Sequence, residues 1–338
     1  MKCVQFESVG EPADVLQTGE RAVSSPKHGE VRVRMLASPL NPSDLMFVRG
    51  TYGVTPALPQ IPGFEGVGVV EESGGGLRGK LFMGKRVAVL NKSGGNWAEY
   101  AVVPADQVIP LSKSLSLEQA ATFFVNPATA WIMTQEVLKV PPGAWLLQTA
   151  AGSSLGRMVI RLGKSLGFRT LNVVRNPDQA SELEAAGATA VVVFDAARGT
   201  QEDFRAAVRQ VLGDDPLQHA IDPVGGNTGS AVLQCLSHSA RMLVFGTLSE
   251  QPIQISPRTL MTNNVKVEGF WLGNFMESKG LLFKLKLVRR ITQLINDGVL
   301  ASEIADRFSL DQVREAVQAV EQPNRAGKSL IVMAPSSS

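Results

Sequence analysis

The sequence predicts an α/β protein in which a β-rich first third precedes a doubly wound parallel sheet. Early short β-type runs such as "KRVAVLN" are closed by glycine, proline or asparagine. From about residue 119, apolar runs such as "TLNVVRN" and "AVVVFD" alternate with segments that have apolar residues at helical spacing. Strands apolar on both faces and separated by helices indicate a parallel sheet covered on both sides. The length of 338 residues favours two domains.

Charge and composition exclude several classes of protein. The formal net charge is +2 and no basic run is interleaved with aromatic residues, so nucleic acid is not an expected partner. The start "MKCVQFESVG" lacks the pattern of a secretory signal, and no apolar run has the roughly 18 residues that a bilayer requires. We therefore expect a cytoplasmic protein that does not associate with membranes.

The cysteines and histidines argue against a metal site. The two cysteines, Cys3 and Cys235, are far apart, and the three histidines are scattered without a ligand spacing such as HExxH. Metal ligands normally come in close groups. We expect neither a disulfide nor a histidine-based metal centre.

The first strand of the parallel region leads into "QTAAGSSLGRMV", with the order strand, small-residue turn and helix of a dinucleotide-binding unit. A pyrophosphate requires close backbone approach there and rests on the helix N-terminus. The strict GxGxxG spacing is absent, so an ordinary tight turn is the alternative. The candidate cofactor residues in this loop are Ala151, Gly152, Ser153, Ser154, Leu155 and Gly156.

The end of the second strand, "NVVRN", indicates which dinucleotide is bound. NAD requires an acidic residue there for the ribose hydroxyls, whereas a 2′-phosphate requires a cation. Arg175 meets the second requirement, and no acidic residue precedes Asp178. This favours NADPH over NADH, although a solvated arginine at a strand end is the plain alternative.

These motifs resemble the medium-chain dehydrogenase/reductase superfamily, in which a GroES-like β domain and a Rossmann domain are combined. In its zinc alcohol dehydrogenases a Cys and the His of a Gly-His-Glu stretch hold the metal. The matching stretches "NPSD" and "PGFEG" carry Asn41 and Phe64 at those positions, and Glu65 remains. Phenylalanine cannot ligate zinc and an amide is a poor ligand for it, so we expect a zinc-independent member.

Within that branch the sequence is similar to the 2-enoyl thioester reductases. The shared stretches are "NPSDLMFVRGTYG", "FVNPATAW", "FRTLNVVRN", "DPVGG" and "KVEGFWLGN". The resemblance implies a GroES-like domain over 1–122 and 270–338, a Rossmann domain over 123–269, and a homodimer formed through sheet edges in "RMLVFGT" and "VKVEGFWLG". One departure is Phe64, where that family tends to have Asn.

The chemistry of such a reductase assigns a role to Tyr52. Reduction of a C=C bond conjugated to a carbonyl adds hydride at Cβ and a proton at Cα while charge develops on the carbonyl oxygen. Without a metal, hydrogen-bond donors and a proton source must serve. A phenol with a pKa near 10 is protonated at neutral pH, and the matching tyrosine has this role in the family. The alternative is a turn aromatic between glycines, and we expect Tyr100, the other tyrosine, to be packing.

The resemblance implies further site residues with weaker support. Trp271, Asn41 and Phe64 are expected near the substrate, and Lys279, Lys284, Lys286, Arg289 and Arg290 could meet a CoA or carrier-protein phosphate, although a solvated helix face is the usual meaning of such a run. The remaining predicted cofactor contacts are Asn126, Thr129, Asp222, Gly246, Phe270 and, again, Trp271.

We therefore predict an NADPH-dependent reductase of a trans-2-enoyl thioester carried by CoA or acyl-carrier protein, with Tyr52 as donor. Two alternatives stay open. One is a zinc-free quinone or activated-alkene reductase, and the other is a protein that binds NADPH without turnover.

Overall fold

The structure is a computed structural model, and it describes residues 1–322 and 326–333. The chain forms two compact units. The first comprises Met1–Val125 with Ser302–Ser338, and the second comprises Asn126–Ala301. The predicted α/β fold class, with a GroES-like and a Rossmann domain, is confirmed by this architecture. No helix among the described residues is long and apolar enough to cross a membrane.

The boundary between the units differs from the predicted one at the point where the chain returns to the first unit. Residues 270–301, which the sequence assigned to the first domain, belong to the second unit. The Arg161 guanidinium donates to the carbonyl oxygens of Val299, at 3.0 Å, and Ala301, at 2.6 Å. Arg290 lies over the Trp131 ring at 4.8 Å. These contacts hold the segment to the second unit, and none of them is visible as a local sequence pattern.

Strands and helices follow one another through both units. The strands are β1 (Lys2–Gln5), β2 (Gln17–Glu20), β3 (Glu30–Pro39), β4 (Glu65–Ser73), β5 (Arg86–Leu90), β6 (Tyr100–Pro104), β7 (Val108–Pro110), β8 (Trp145–Gln148), β9 (Arg169–Val174), β10 (Ala190–Val193), β11 (His219–Asp222), β12 (Arg241–Val244), β13 (Lys266–Gly269), β14 (Ile304–Phe308) and β15 (Lys328–Val332). The helices are α1 (Pro12–Val15), α2 (Pro42–Arg49), α3 (Leu77–Phe82), α4 (Leu117–Ala121), α5 (Val125–Trp131), α6 (Ser154–Leu166), α7 (Gln179–Ala185), α8 (Gln201–Leu212), α9 (Gly226–Cys235), α10 (Pro257–Asn263), α11 (Leu272–Glu277), α12 (Leu281–Asn296) and α13 (Val313–Glu321). A π-helix covers Ile132–Val137 and a 3₁₀ turn covers Leu310–Gln312.

The first unit is built on a mainly antiparallel sheet. Its strands are ordered β14-β15-β3-β4-β5-β7, with β6 paired to β3, while β1 and β2 form a separate two-stranded antiparallel sheet. The apolar faces of these strands enclose a core that contains Phe6, Phe47 and Trp97, each no more than 1% exposed. Because β15 pairs with β3, it lies beside the strand that leads into α2.

The second unit is built on a six-stranded parallel sheet in the order β10-β9-β8-β11-β12-β13. This is the doubly wound order, in which strands are added first on one side of β8 and then, from β11 onward, on its other side. All pairings are parallel, so the carboxyl ends of the six strands lie along one edge. Ligands of such sheets bind at that edge.

Candidate active site

The carboxyl edge of the parallel sheet gathers most of the predicted cofactor residues. Ala151 lies shortly after β8, Arg175 directly follows β9, and Asp222 is the last residue of β11. Gly246 follows β12 and Phe270 follows β13. The residues are scattered over 120 positions of the sequence, and parallel pairing brings them to one edge.

The loop from β8 to α6 has the geometry of a phosphate cradle. Ser153 caps α6, and its Oγ accepts a hydrogen bond from the Gly156 N–H at 3.1 Å. A Cβ added at Gly156 would lie 2.4 Å from the carbonyl oxygen of Ala151, so helix and loop are too close for a side chain there. Gly156 thus permits the close packing of helix on loop that is expected of the third glycine of a dinucleotide loop.

Side chains that the sequence analysis missed hold this loop in place. Buried Gln148 donates to the carbonyl oxygen of Gly156 at 2.9 Å and to Asn172 Oδ1 at 2.7 Å. The Arg157 guanidinium donates to the carbonyl oxygen of Gly152 at 3.2 Å. The Gln148–Asn172 bond joins the neighbouring strands β8 and β9, and the other two bonds tie α6 to β8 and to the loop. Only the polar character of "Q" in an apolar strand could have signalled them.

The remaining loop residues and Arg175 present different surfaces. Ser153 is exposed, Ser154 is half-buried, and Leu155 packs into the interior. Arg175 is exposed and makes no ion pair within residues 1–322 and 326–333. Its guanidinium is therefore available to an anion at the end of β9.

Asp222 and Gly246 stabilise the backbone turns that follow the strands at this edge of the sheet. The Asp222 carboxylate is fully buried and accepts from the N–H groups of Val224, at 3.0 Å, and Gly225, at 2.9 Å, and from the Thr149 hydroxyl. A Cβ at Gly246 would lie 2.7 Å from the carbonyl oxygen of Pro223. The partners of Asp222 belong to the protein, so it shapes the turns around the predicted cofactor site.

The other predicted residues of this unit lie on α5 and at the end of β13. Asn126 is half-buried and Thr129 is buried in α5. The Phe270 N–H donates to the carbonyl oxygen of Val244 at 2.8 Å. Trp271, at the start of α11, is 44% exposed, which leaves much of its indole ring accessible.

Tyr52 lies in the first unit, just beyond the end of α2. The helix ends at Gly50, whose φ of 74° turns the chain, and the Tyr52 N–H donates to the carbonyl oxygen of Met46 at 3.2 Å. The half-buried Tyr52 ring packs on Phe64 with 5.2 Å between centroids, and Phe64 packs on Phe47 at 4.9 Å. Two of the predicted residues, Tyr52 and Phe64, are thus in direct contact.

A buried polar network fixes the start of α2 beneath these rings. Asn41 is the N-cap residue, and its N–H donates to Asp44 Oδ2 at 2.7 Å. The other Asp44 oxygen accepts from the Phe64 N–H at 2.9 Å. Asn41 is 2% exposed, so it lies inside the fold and supports the start of α2. Its contact with a substrate stays a prediction.

Glu65 and Lys328 complete the network. Glu65 Oε1 accepts from the N–H groups of Phe124 and Val125, both at 2.8 Å, and Oε2 accepts from Asn41 Nδ2 at 3.4 Å. Lys328, the first residue of β15 and 6% exposed, donates through Nζ to Asn41 Oδ1. Sequence reasoning missed Lys328, although a lysine that opens the apolar run "KSLIVMA" was a signal.

Burial dominates the acid–base properties of this network. It raises the pKa of Asp44 to about 7, although the N–H groups of Asn41 and Phe64 and the Lys328 ammonium act in the opposite direction. Burial also raises the pKa of Glu65 and lowers that of Lys328. The pKa of the Tyr52 phenol is raised to about 12 by burial and by the nearby Asp44 charge. Tyr52 is therefore protonated at neutral pH.

The donor set of the first unit does not fit a zinc ion. Phe64 has no ligand atom, the Asn41 carbonyl oxygen accepts from the Lys328 ammonium, and that ammonium would repel a divalent cation. Among the described residues, no group of three or more His, Cys, Asp or Glu side chains could hold a metal.

Comparison with known proteins agrees with this geometry. The model described as alcohol dehydrogenase GroES-like domain matches residues 27–113, and the model described as zinc-binding dehydrogenase matches residues 154–286. The mitochondrial enoyl-[acyl-carrier-protein] reductase of Xenopus tropicalis is 31% identical over 97% of this chain and 94% of its own length. The chain belongs to the zinc-independent medium-chain dehydrogenase/reductases.

Two solved structures show the same fold over 98% of this chain. A putative NADPH:quinone reductase from Bacillus thuringiensis is 30% identical, is covered over 98% of its length, and has a TM-score of 0.88. The Etr1p/NADP/crotonyl-CoA complex is 25% identical, is covered over 99%, and has a TM-score of 0.82. This member of the family is accordingly an NADPH-dependent oxidoreductase, which removes support from the alternative of binding without turnover.

The residues at the carboxyl edge fit NADPH. The close approach at Gly156 and the N-terminus of α6 suit a pyrophosphate, and the exposed cation of Arg175 suits a 2′-phosphate. When bound, NADPH supplies hydride.

Proposed function

We propose that this medium-chain reductase saturates the C=C bond of a trans-2-enoyl thioester carried by CoA or by acyl-carrier protein. The observation that carries the proposal is the protonated Tyr52 phenol in a site whose metal-ligand positions hold Asn41 and Phe64. The reductase from Xenopus and the Etr1p complex with crotonyl-CoA support this substrate class.

Tyr52 supplies what the reaction needs besides hydride. Hydride addition at Cβ leaves negative charge on the thioester oxygen and requires a proton at Cα. A neutral phenol can donate a hydrogen bond or a proton to that enolate, whereas an ionised one cannot. Burial keeps Tyr52 neutral up to high pH.

The test is a panel of NADPH oxidation assays with enoyl-CoAs of several chain lengths, quinones and alkenals. Wild type should oxidise NADPH rapidly with crotonyl-CoA, and Tyr52→Phe should lower kcat by roughly 100-fold or more. Tyr100→Phe is the matched control, since Tyr100 lies in β6 with Arg32 over its ring. The proposal fails if quinones accelerate NADPH oxidation and crotonyl-CoA does not.

A quinone or activated-alkene reductase is the second candidate. Its support is the 30% identity to the putative quinone reductase from Bacillus thuringiensis, together with Phe64 in place of the Asn typical of the thioester reductases. A quinone is reduced to a hydroquinone, which needs no proton delivered to a carbon atom. Under this alternative, turnover with quinones should survive Tyr52→Phe.

The cations on and before α12 are a proposed contact for the phosphates of the thioester carrier. Lys284 and Lys286 make no ion pair within the described parts of the chain, and Lys286 is exposed. Lys279 lies 4.4 Å from the centroid of the Phe275 ring. Replacing Lys284 and Lys286 by Ala should raise KM for crotonyl-CoA. It should leave KM for crotonyl-N-acetylcysteamine, which has no phosphate, unchanged.

A homodimer is the proposed assembly, formed by pairing of sheet edges. The sequence predicted that the edge includes "RMLVFGT", which contains β12. This part of the prediction is wrong, because β12 lies inside the sheet between β11 and β13. β13 is the edge strand at that end of the sheet, and two copies can pair along it about a two-fold axis. A monomer in light scattering would contradict this assembly. The cytoplasmic location stays a prediction.

A further inference from the structure

The reaction described above gives no function to the buried ammonium of Lys328. Lys328 is 6% exposed, and it lies 263 residues from Glu65 in sequence. The Lys328 ammonium and the carboxylates of Glu65 and Asp44 act on one another electrostatically. Burying a lysine costs free energy that an apolar residue would not, so β15 has no need of it for stability alone.

The contacts of Lys328 lead step by step to Tyr52. Its Nζ donates to the Asn41 side chain, and the Asn41 backbone is held by Asp44. Asp44 also accepts from the Phe64 N–H, and the Phe64 ring packs against Tyr52. Each step is a hydrogen bond or a ring contact between groups within the first unit.

A second branch of the network fixes the opposite side of the Asn41 amide. Asn41 Nδ2 donates to Glu65, whose other oxygen holds the N–H groups of Phe124 and Val125. With its oxygen bound to Lys328 and its nitrogen to Glu65, the amide has a fixed orientation. Without the ammonium, the Asn41 amide oxygen would lose the hydrogen bond from Lys328, and the buried carboxylates of Asp44 and Glu65 would lose this countercharge.

We infer that Lys328 is a positioning residue for the reaction, whose buried ammonium orients Asn41 and thereby holds Phe64 and Tyr52 in the geometry that proton donation requires. Lys328 is too deeply buried to meet a substrate itself. It supplies a fixed positive charge in a network where the zinc-dependent relatives have metal ligands at two positions. The inference rests on the proposed function, since it assigns Tyr52 as the donor.

The test uses the full chain and two readouts. Tyr52 and Tyr100 are the two tyrosines of the sequence, so 3-fluorotyrosine in a Tyr100→Phe background gives a single ¹⁹F resonance that reports on Tyr52. Turnover with crotonyl-CoA and NADPH affinity are measured on the same variants. The variants are Lys328→Met, Lys328→Arg and the double variant Glu65→Gln with Lys328→Met, which removes both charges and keeps an acceptor for Phe124 and Val125.

Lys2→Met is the matched control, because Lys2 forms an exposed ion pair with Asp311 in the same unit. We expect the folded double variant to lose between about 10-fold and 100-fold in kcat, the effect of a misplaced catalytic group. Its NADPH affinity should be unchanged and its ¹⁹F resonance shifted or broadened. Lys328→Arg should have a kcat and a ¹⁹F resonance closer to those of wild type than the double variant has. Lys2→Met should alter neither kcat nor the resonance.

A folded double variant with the wild-type resonance or with wild-type kcat overturns the inference. If Lys328→Met does not fold, the double variant decides. If wild type fails to reduce crotonyl-CoA, the proposed function is refuted, and the resonance then decides alone whether Lys328 positions Tyr52.

Discussion

The two regions to which we assign cofactor binding and proton donation are built in different ways. The loop before α6 depends on backbone: a glycine with no room for Cβ, a capping serine, and carbonyl groups held by Gln148 and Arg157. The region around Tyr52 depends on buried charge, with Asp44, Glu65 and Lys328 under the aromatic rings. A backbone cradle is sensitive to volume, whereas a buried network is sensitive to charge.

The largest effect is expected from removal of a charge in the network. Glu65→Ala leaves the Lys328 ammonium with less countercharge and leaves the N–H groups of Phe124 and Val125 without their acceptor. We expect a loss of about 3–5 kcal/mol in the free energy of unfolding. Asp311→Ala, which breaks the exposed pair with Lys2, should cost no more than about 1 kcal/mol. Denaturant titrations measure both, and equal losses would contradict the proposed difference.

Volume should matter most in the cofactor loop. Gly156→Ala places Cβ 2.4 Å from a backbone oxygen, and we expect it to cost about 1–3 kcal/mol and to weaken NADPH binding. In Gly152→Ala the new Cβ meets the end of the Gln179 side chain at 2.6 Å, and that side chain can move aside. Thermal unfolding and fluorescence titration with NADPH separate the two variants. Comparable effects at both glycines would show that the backbone contact is unimportant.

Charge in the cofactor region should affect binding with little effect on stability. Arg175→Ala removes an exposed cation at the end of β9, and we expect KM for NADPH to rise by roughly 10-fold to 100-fold. KM for NADH and the free energy of unfolding should stay near their wild-type values. Arg198→Ala, in an exposed pair with Asp195, is the control. An equal rise of KM for both dinucleotides would contradict recognition of the 2′-phosphate.

The last expected effect is a pH dependence of stability that belongs to the buried network. Because the pKa of Asp44 rises from its ordinary 3.8 to about 7, the folded protein binds a proton that the unfolded chain releases. Its contribution to stability is present below the unfolded pKa and is lost as pH rises through about 7. Between pH 5 and pH 7.5, wild type should lose about 2 kcal/mol relative to Asp44→Asn. Parallel pH profiles of the two proteins would contradict this assignment.

The sequence by itself determined the features that have a local pattern. Alternating apolar strands and helices indicated the doubly wound sheet, the small-residue turn ending at Gly156 indicated the cofactor loop, and Asn41 and Phe64 indicated the loss of zinc. Tyr52 could be chosen as a candidate because its stretch resembles that of the thioester reductases. Each of these signals lies within a few consecutive residues.

Only the tertiary structure decided which distant residues meet. Lys328 bonds to Asn41 across 287 positions, β12 lies inside the sheet, and residues 270–301 join the second unit. Such contacts arise from strand order and from pairing of β15 with β3, and neither leaves a periodic trace in the sequence. A buried lysine has the same letter as a surface one, and its burial and partners become visible only when the chain is folded.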